Sequence, residues 1–422
     1  MTSASGNAAA RTAPRGSSRF RLIALVSVVG PGLLAGLSDD DPPGITTYSV
    51  LGTNYGYQLL WVLLLSTVAL IVFHSLAARM GAASGQGLIG LIRDRYGPRA
   101  GGAVMAMLLL ANLGTMCAEL AGVAVGFELF GVSRYVSVPI VTVGVSVLVL
   151  KGRFHRVEHI LMALAAVLVA YVAAGFVADP DWSQAARGLV IPSMPLTADA
   201  ILIVTATVGT TLAPWGLSFI QSYAVDKKLT LDDLGYERID VVTGSVLTGV
   251  IGFFVVVTCA ATLHVHGLTI TSAADAASAL EPLAGSLAQA LFAIGIIGAG
   301  ILAAAIVPLS TAYSLCEFTG HEGAIDDGFR RAPFFYGSYL CVAGVALCVV
   351  LLPGISLIPV LLLTQVLNAV LLLPLLLFMY GLARDPELMG GHHVRGGSTA
   401  VYIATIALVT TCIGALFVLT VL

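Results

Sequence analysis

Residues 30–44 read Gly30-Pro-Gly-Leu-Leu-Ala-Gly-Leu-Ser-Asp-Asp-Asp-Pro-Pro-Gly44, with apolar sequence on either side. Pro42 and Pro43 lack a backbone donor and Gly44 tolerates dihedrals that a helix forbids, so a helix entering this segment is interrupted. Three consecutive carboxylates, Asp39, Asp40 and Asp41, stand at the interruption. A charge at membrane depth costs about 3 kcal/mol or more unless it is paired, hydrated or bound to an ion. Basic residues precede the segment, and no Asp, Glu, Lys or Arg follows it until Arg79. The break therefore reads as lying within the bilayer, not as a surface loop between two short helices.

The rest of the chain agrees. Of its 422 residues, 58% are hydrophobic and only 10% charged, with a mean hydropathy of +0.97. So few charges cannot cover the surface of a soluble domain. Apolar stretches of about 20 residues, the length that a bilayer core demands, recur throughout. Eleven spans are expected, at 21–53 (interrupted), 58–78, 101–130, 135–150, 157–177, 198–224 (interrupted), 239–262, 284–314, 334–352, 356–381 and 398–421. The third and eighth are long enough to require tilt. Residues 1–20 are rich in Ser, Ala and Arg without an apolar core, and read as a disordered cytoplasmic tail instead of a cleavable signal.

Loop charge tests the count. With the N-terminus in the cytoplasm, 18 of the 20 Lys and Arg fall in cytoplasmic loops, and only Arg134 and Arg187 lie outside. A wrong count would scramble this alternation, so the expected orientation has the N-terminus inside and the C-terminus outside, in a plasma membrane. The six cysteines form no Cys-x-x-Cys pair and mostly sit in apolar stretches, so they read as small buried hydrophobes.

A second interruption, Leu212-Ala-Pro-Trp-Gly216, falls in the sixth span, with Thr205, Thr207, Thr210 and Thr211 before it and Gln221 after. Spans one and six begin two five-span halves, 21–177 and 198–381, and paired breaks there are the mark of an inverted repeat with a central substrate site. Span eleven, 398–421, stands outside the repeat. Unwound backbone frees carbonyls to coordinate a cation. A cation carrier is the natural reading.

Along nearly its whole length the sequence resembles the Nramp family of divalent-metal transporters. Asp41-Pro-Pro-Gly44 stands where that family has Asp-Pro-Gly-Asn, and Gly52, Gly56-Tyr57 and Leu59-Leu60-Trp61 keep the register. Ala118-Glu119-Leu-Ala-Gly122 resembles its third-span Ala-Glu-x-x-Gly, and Ala213-Pro-Trp215 occupies its Met-Pro-His position. Thr364-Gln-Val366 is similar to its Ser-Gln-Val, and Leu388-Met-Gly390 to a short motif after span ten. The resemblance implies an all-α, eleven-helix, LeuT-like 5+5 inverted repeat with helices 1 and 6 broken. Ions would bind between spans one, six and ten.

The departures share a chemical direction. The family's Asp is kept as Asp41, but its Asn becomes Gly44, its Met becomes Ala213 and its sixth-span His becomes Trp215. The third-span Asp associated with proton movement corresponds to Met116, while Glu119 survives. Thioether sulfur favours soft or borderline metals over hard cations. Its loss, with small residues at Gly44 and Ala213, suits a roomier site for partly hydrated Mg²⁺, which gives up water reluctantly. The pattern is most like the Nramp-related magnesium transporters. Loss of the titrating His and Asp argues against strict proton coupling.

The expected metal-site residues are then Asp41, Asp40, Ser38, Gly44, Thr210, Ala213 and Gln365. Asp41 and Asp40 would act through carboxylates, or Asp41 would merely cap a helix. By matching positions Ser38 and Thr210 would lend backbone carbonyls, and Gly44 and Ala213 would line the site through small size. Gln365 carries an amide at membrane depth, as an ion or water ligand or as a helix–helix partner; Asn368 reads as structural. Glu119, Asp39 and Trp215 are candidates for the ion or proton path, with Asp39 facing a vestibule and Trp215 filling or gating the break. His74, His264 and His266 are further possible ligands, the last two read as solvated on an outer loop.

No Ser/His pair, His-Glu-x-x-His or Gly-x-Ser-x-Gly motif is present, so no enzymatic reading and no cofactor follow beyond the transported cation itself. The partners expected are Mg²⁺ and Mn²⁺ and the lipid bilayer, with no nucleic acid; a monomer suffices. Two other readings stay open: a proton-coupled Mn²⁺/Fe²⁺ importer, and an amino-acid symporter on the same architecture, which three carboxylates at the break disfavour.

Overall fold

The computed structural model describes residues 36, 38–151, 166–325, 327–394 and 396–421. The expected tail, most of the first half of span one and the start of span five lie outside these residues.

Among the described residues, eight helices are long and apolar enough to cross a membrane, with Arg134–Leu150 just shorter. They match spans two to four and six to eleven. Pro42–Tyr55 is the second half of span one, and Ala170–Val177 the end of span five, which brings the account to the eleven expected. The protein is an all-α polytopic membrane protein. The third span runs Pro98–Glu128 and the eighth Ala288–Thr319. At 1.5 Å per residue each exceeds the roughly 30 Å hydrocarbon core, so both must tilt or project.

Several short helices in the connections were not expected from sequence, the two longest of nine residues each. Leu88–Tyr96 links spans two and three and carries Arg93 and Arg95 in its last turn. Trp182–Val190 links spans five and six, capped by Asp181. Both lie in polar connections too short to stand out from their flanking spans.

Burial sorts the spans. In span six 94% of the apolar window is buried against protein, in span eleven only 22%. Span six is therefore the axis and span eleven the periphery. The first half of span six packs on span ten and on the second half of span one; its second half packs on spans two and eight. Span three lies against spans eight and ten, and span seven against spans one and two. Exposed Ile140, Phe176, Leu363 and Phe417 point where lipid would be.

Small residues let this bundle close on the first break. A side-chain carbon at Gly122 of span three would overlap Pro42, and one at Gly300 of span eight would sit 3.0 Å from it. Without these glycines the helices could not approach so closely.

Candidate functional site

The two breaks are built alike. Asp39 is still helical, but Asp40 and Asp41 leave the helix. Asp41 is extended (φ −82°, ψ 170°), and the chain restarts its helix at Pro42. In span six Leu212 (φ −116°, ψ 59°) and Ala213 (φ −68°, ψ 137°) leave the helix, which restarts at Pro214. Proline suits the first helical position because its missing N–H would go unused there. Pro42, Pro43 and Pro214 stand four residues after Ser38, Asp39 and Thr210 respectively, so they offer no helical donor to those carbonyls.

Hydrogen bonds tie the breaks together. Tyr48 in the second half of span one meets the Thr211 hydroxyl at the end of the first half of span six, 2.8 Å away. Asp41 Oδ1 accepts from the Gly44 N–H at 2.7 Å, so Asp41 caps the restarted helix. A side-chain carbon at Gly44 would fall 2.8 Å from the Asp39 carbonyl and 3.4 Å from Thr210 Oγ1. The room expected from the small residue at Gly44 is thus not there: the folded-back break takes it up, and only glycine permits the approach.

Asp39, Asp40 and Asp41 are 1%, 2% and 4% exposed, and Glu119 is fully buried. The expected vestibule position of Asp39 is corrected accordingly, since the bundle closes over it. Glu119 of span three and Asp41 belong to the same buried carboxyl cluster. Among the described residues, Asp39 Oδ2 and both oxygens of Asp40 and of Glu119 have no hydrogen-bond partner. The ion pairs of the described residues all involve Arg93 or Arg95, far along the chain from this cluster. Buried carboxylates without counter-charge are costly, so such groups are either protonated or paired with a cation. Among the described residues no three His, Cys, Asp or Glu side chains converge tightly enough to chelate a metal.

Span ten contributes a hydrogen-bond network. Gln365 Nε2 donates to Thr364 Oγ1 at 3.2 Å, and its Oε1 accepts from Asn368 at 3.0 Å. Asn368 also donates to Thr115 of span three at 2.9 Å. Gln365 thus has both ends of its amide engaged in a helix–helix network, with Asn368 in the structural role expected of it. Its backbone still closes on the break, since a side-chain carbon at Gly209 would overlap the Gln365 carbonyl.

Trp215 is buried in the first turn after the second break, near Phe219, with its carbonyl accepting from Ser310 at 2.9 Å. It fills volume there. Ala213 is buried beside it and Thr210 Oγ1 lacks a partner. His264 and His266 are exposed, as expected of an outer loop; His264 Nδ1 also meets the Thr53 carbonyl at 2.8 Å, and His266 bonds Thr262. Four cysteines are buried; Cys341 and Cys348 are exposed on span nine.

Cavities open at opposite ends of span two. One of about 870 Å³ is lined by Tyr57, Asp179, Asp181, Gln184, Arg187 and His264. Hydrogen bonds from the Gln184 backbone and side chain hold Asp181 below the usual carboxylate range, which keeps it charged. The other, of about 450 Å³, is lined by Arg93, Asp94, Asp226, Glu317 and Glu322. Glu317 accepts from Ser222 of span six and from the Ile89 N–H. Sequence reading missed Glu317, because a carboxylate near a span end looks like an ordinary interfacial residue. None of Asp39, Asp40, Asp41 and Glu119 lines either cavity.

Comparison with known proteins gives one consistent picture. A family model described as "Natural resistance-associated macrophage protein-like", or Nramp, matches residues 32–419. The chain is 28% identical over 380 residues to a "Divalent metal cation transporter MntH" of Acidiphilium cryptum, covering 87% of this chain and 84% of that one. It is 27% identical over 405 residues to a protein of the same name in Klebsiella pneumoniae, covering 93% and 95%. The fold is shared with a manganese transporter of Eremococcus coleocola, at TM-score 0.75 and 19% identity over 95% of this chain and 87% of that one. It is shared more distantly with MhsT in complex with L-phenylalanine, at TM-score 0.61 and 14% identity, covering 93% and 97%.

Proposed function

The chain belongs to the Nramp family, and from that membership we propose that it carries divalent metal cations across the membrane through the gap between broken spans one and six. The carrying observation is the set of buried carboxyl groups at the first break, Asp39, Asp40, Asp41 and Glu119, with no ion pair among the described residues. The relatives' name, divalent metal cation transporter, supports the same cargo class.

The cargo is partly hydrated Mg²⁺, with Mn²⁺ also carried. Asp41 is the main ligand, released from its cap to Gly44 when the ion arrives, and Asp40 holds the ion or its water. Thr210 and Ser38 lie where backbone carbonyls meet the ion, Gly44 and Ala213 border it, and Gln365 joins after leaving Asn368. Neither Ala213 nor Trp215 offers the soft sulfur or the imidazole that would favour transition metals over Mg²⁺. Glu119, Asp39 and Trp215 line the path, and protons are weakly coupled or not coupled. The two repeats, 21–177 and 198–381, rock against each other about this site, with the N-terminus cytoplasmic, the C-terminus outside and the protein in the plasma membrane. A second reading, a proton-coupled Mn²⁺/Fe²⁺ importer, fits the relatives' name, divalent metal cation transporter, equally well.

Uptake into proteoliposomes of Mg²⁺, Mn²⁺, Ca²⁺ and Fe²⁺, with and without a pH gradient, separates them. Mg²⁺ uptake without proton entry is expected, and Asp41→Ala should abolish it while the protein still folds. Fe²⁺ uptake that blocks Mg²⁺ and drags protons establishes the second reading instead.

A further inference from the structure

Spans two, seven and eleven enclose a third cavity, of about 310 Å³, away from the broken helices. Its polar wall is Ser75 and Arg79 of span two, Glu237 and Arg238 of span seven, and Tyr402 of span eleven. Arg79 stands near the end of the helix Leu60–Ser84, and Glu237 and Arg238 fall in the first two turns of Leu234–Cys259. Tyr402 is in the second turn of Gly397–Val421. Three helix ends thus meet at one face of the bundle, and the ends of membrane spans lie at headgroup level.

The charges in this cavity are not paired with each other. Glu237 is only 7% exposed, and its Oε1 has no hydrogen-bond partner among the described residues. Arg79 donates to the Tyr402 hydroxyl at 3.3 Å, yet its Nε is buried and without a partner. The ion pairs of the described residues include neither Arg79, Glu237 nor Arg238. Protonation of Glu237 would relieve the carboxylate but leave the Arg79 Nε unmet. A ligand that bears both signs satisfies the two at once.

The surroundings narrow the choice. Ile71, Val72, Val241 and Val242 supply apolar wall, and Ile239 and Ile403, next in sequence to Arg238 and Tyr402, are exposed as lipid-facing residues are. The volume is at the lower end of the range for small-ligand pockets, about 300–1,000 Å³. We propose that this cavity binds the headgroup of a phospholipid bearing a primary ammonium, such as phosphatidylethanolamine. The phosphate lies on Arg79 and Arg238, and the ammonium on Glu237. A purely anionic headgroup would meet the arginines but leave Glu237 unmet. Phosphatidylcholine is also zwitterionic, but its trimethylated nitrogen has no N–H to donate. The site goes beyond the transport reading and does not depend on it, since none of Asp39, Asp40, Asp41 and Glu119 lines the cavity.

The test is native mass spectrometry of the full-length protein, delipidated in detergent and titrated with phosphatidylethanolamine, phosphatidylcholine or phosphatidylglycerol of identical acyl chains. Wild type should bind its first ethanolamine lipid about tenfold more tightly than either of the others. Glu237→Gln should erase that preference and leave phosphatidylcholine affinity unchanged. Arg79→Gln should weaken all three, because each presents a phosphate. Both variants are checked by thermal unfolding. A folded Glu237→Gln protein that keeps the preference overturns the assignment, as does wild type that binds the three lipids alike. If that variant does not fold, the N-methyl and N,N-dimethyl ethanolamine lipids decide on wild type. Affinity should fall stepwise as N–H donors are lost, and equal affinities overturn the ammonium contact. Tighter binding of phosphatidylglycerol would show the arginines acting alone, which also overturns it. Soluble phosphoethanolamine that displaces the lipid at equal concentration would make the free headgroup the ligand and overturn the lipid assignment.

Discussion

Tyr48 donates a 2.8 Å hydrogen bond to Thr211, whose own hydroxyl is committed to the carbonyl of Thr207. The bond spans 163 residues of sequence and joins the second half of span one to the interrupted end of span six. A buried pair of this kind keeps the restarted helix of span one in register with the unwound end of span six, which is what a site built from two gaps requires.

Tyr48→Phe keeps the ring and removes only this bond. The expected cost is about 0.5–1.5 kcal/mol, because Thr211 retains its bond to Thr207. Thermal unfolding of the purified protein would show it as a lower midpoint. An unchanged midpoint would mean that the hydroxyl adds nothing to the link.

Much of this arrangement was legible in the sequence, and the reasons are physical. The positions of both breaks follow from prolines that cannot donate, and the span count follows from length, hydropathy and the segregation of Arg and Lys. Burial of Asp39, Asp40 and Asp41 follows from the absence of other charges up to Arg79. Side-chain pairing was not legible. Gln365 is engaged by Asn368, and Gly44 is filled by its own folded-back chain, because both depend on neighbours that only the tertiary fold supplies. His74 was weighed as one possible ligand among several; nothing in span two says that its nitrogens would lack partners next to Gly216.

Gly122 shows how tightly the first break is held. A methyl group there would overlap Pro42, and neither the helix backbone of span three nor the proline ring can yield easily. Gly122→Ala should cost about 1–3 kcal/mol and displace span three from the break, with Glu119, one turn away, moving from Asp41. Reduced thermal stability together with reduced cation uptake is expected. Wild-type values for both would show that the bundle relaxes without strain.

Glu317 links three elements at the smaller cavity, holding Ser222 of span six and the Ile89 N–H of the short helix after span two. Widening this cavity by moving span six away from span eight would part the Ser222 contact. Glu317→Ala should loosen the second half of span six, with a loss of about 1.5–3 kcal/mol. Cys316, buried at the same cavity wall, is a built-in reporter. In a variant whose other five cysteines are replaced by alanine, maleimide should label it faster after Glu317→Ala. Equal labelling rates would show that Glu317 does not restrain that opening.

Ala213 carries the argument about which metal is preferred. It is buried at the second break, extended, just before Pro214, where a longer side chain would reach toward the gap. Ala213→Met adds a thioether, a soft donor that binds Cd²⁺ or Mn²⁺ better than Mg²⁺. The larger side chain also consumes space that a hydrated ion needs. Both effects act in one direction, so competition uptake should show the Cd²⁺-over-Mg²⁺ preference rising about tenfold, an energy of about 1.4 kcal/mol. If Mg²⁺ uptake falls while Cd²⁺ uptake does not rise, crowding alone is at work. An unchanged series across Mg²⁺, Mn²⁺ and Cd²⁺ would mean that position 213 does not meet the ion, and the hardness argument for Mg²⁺ would fail with it.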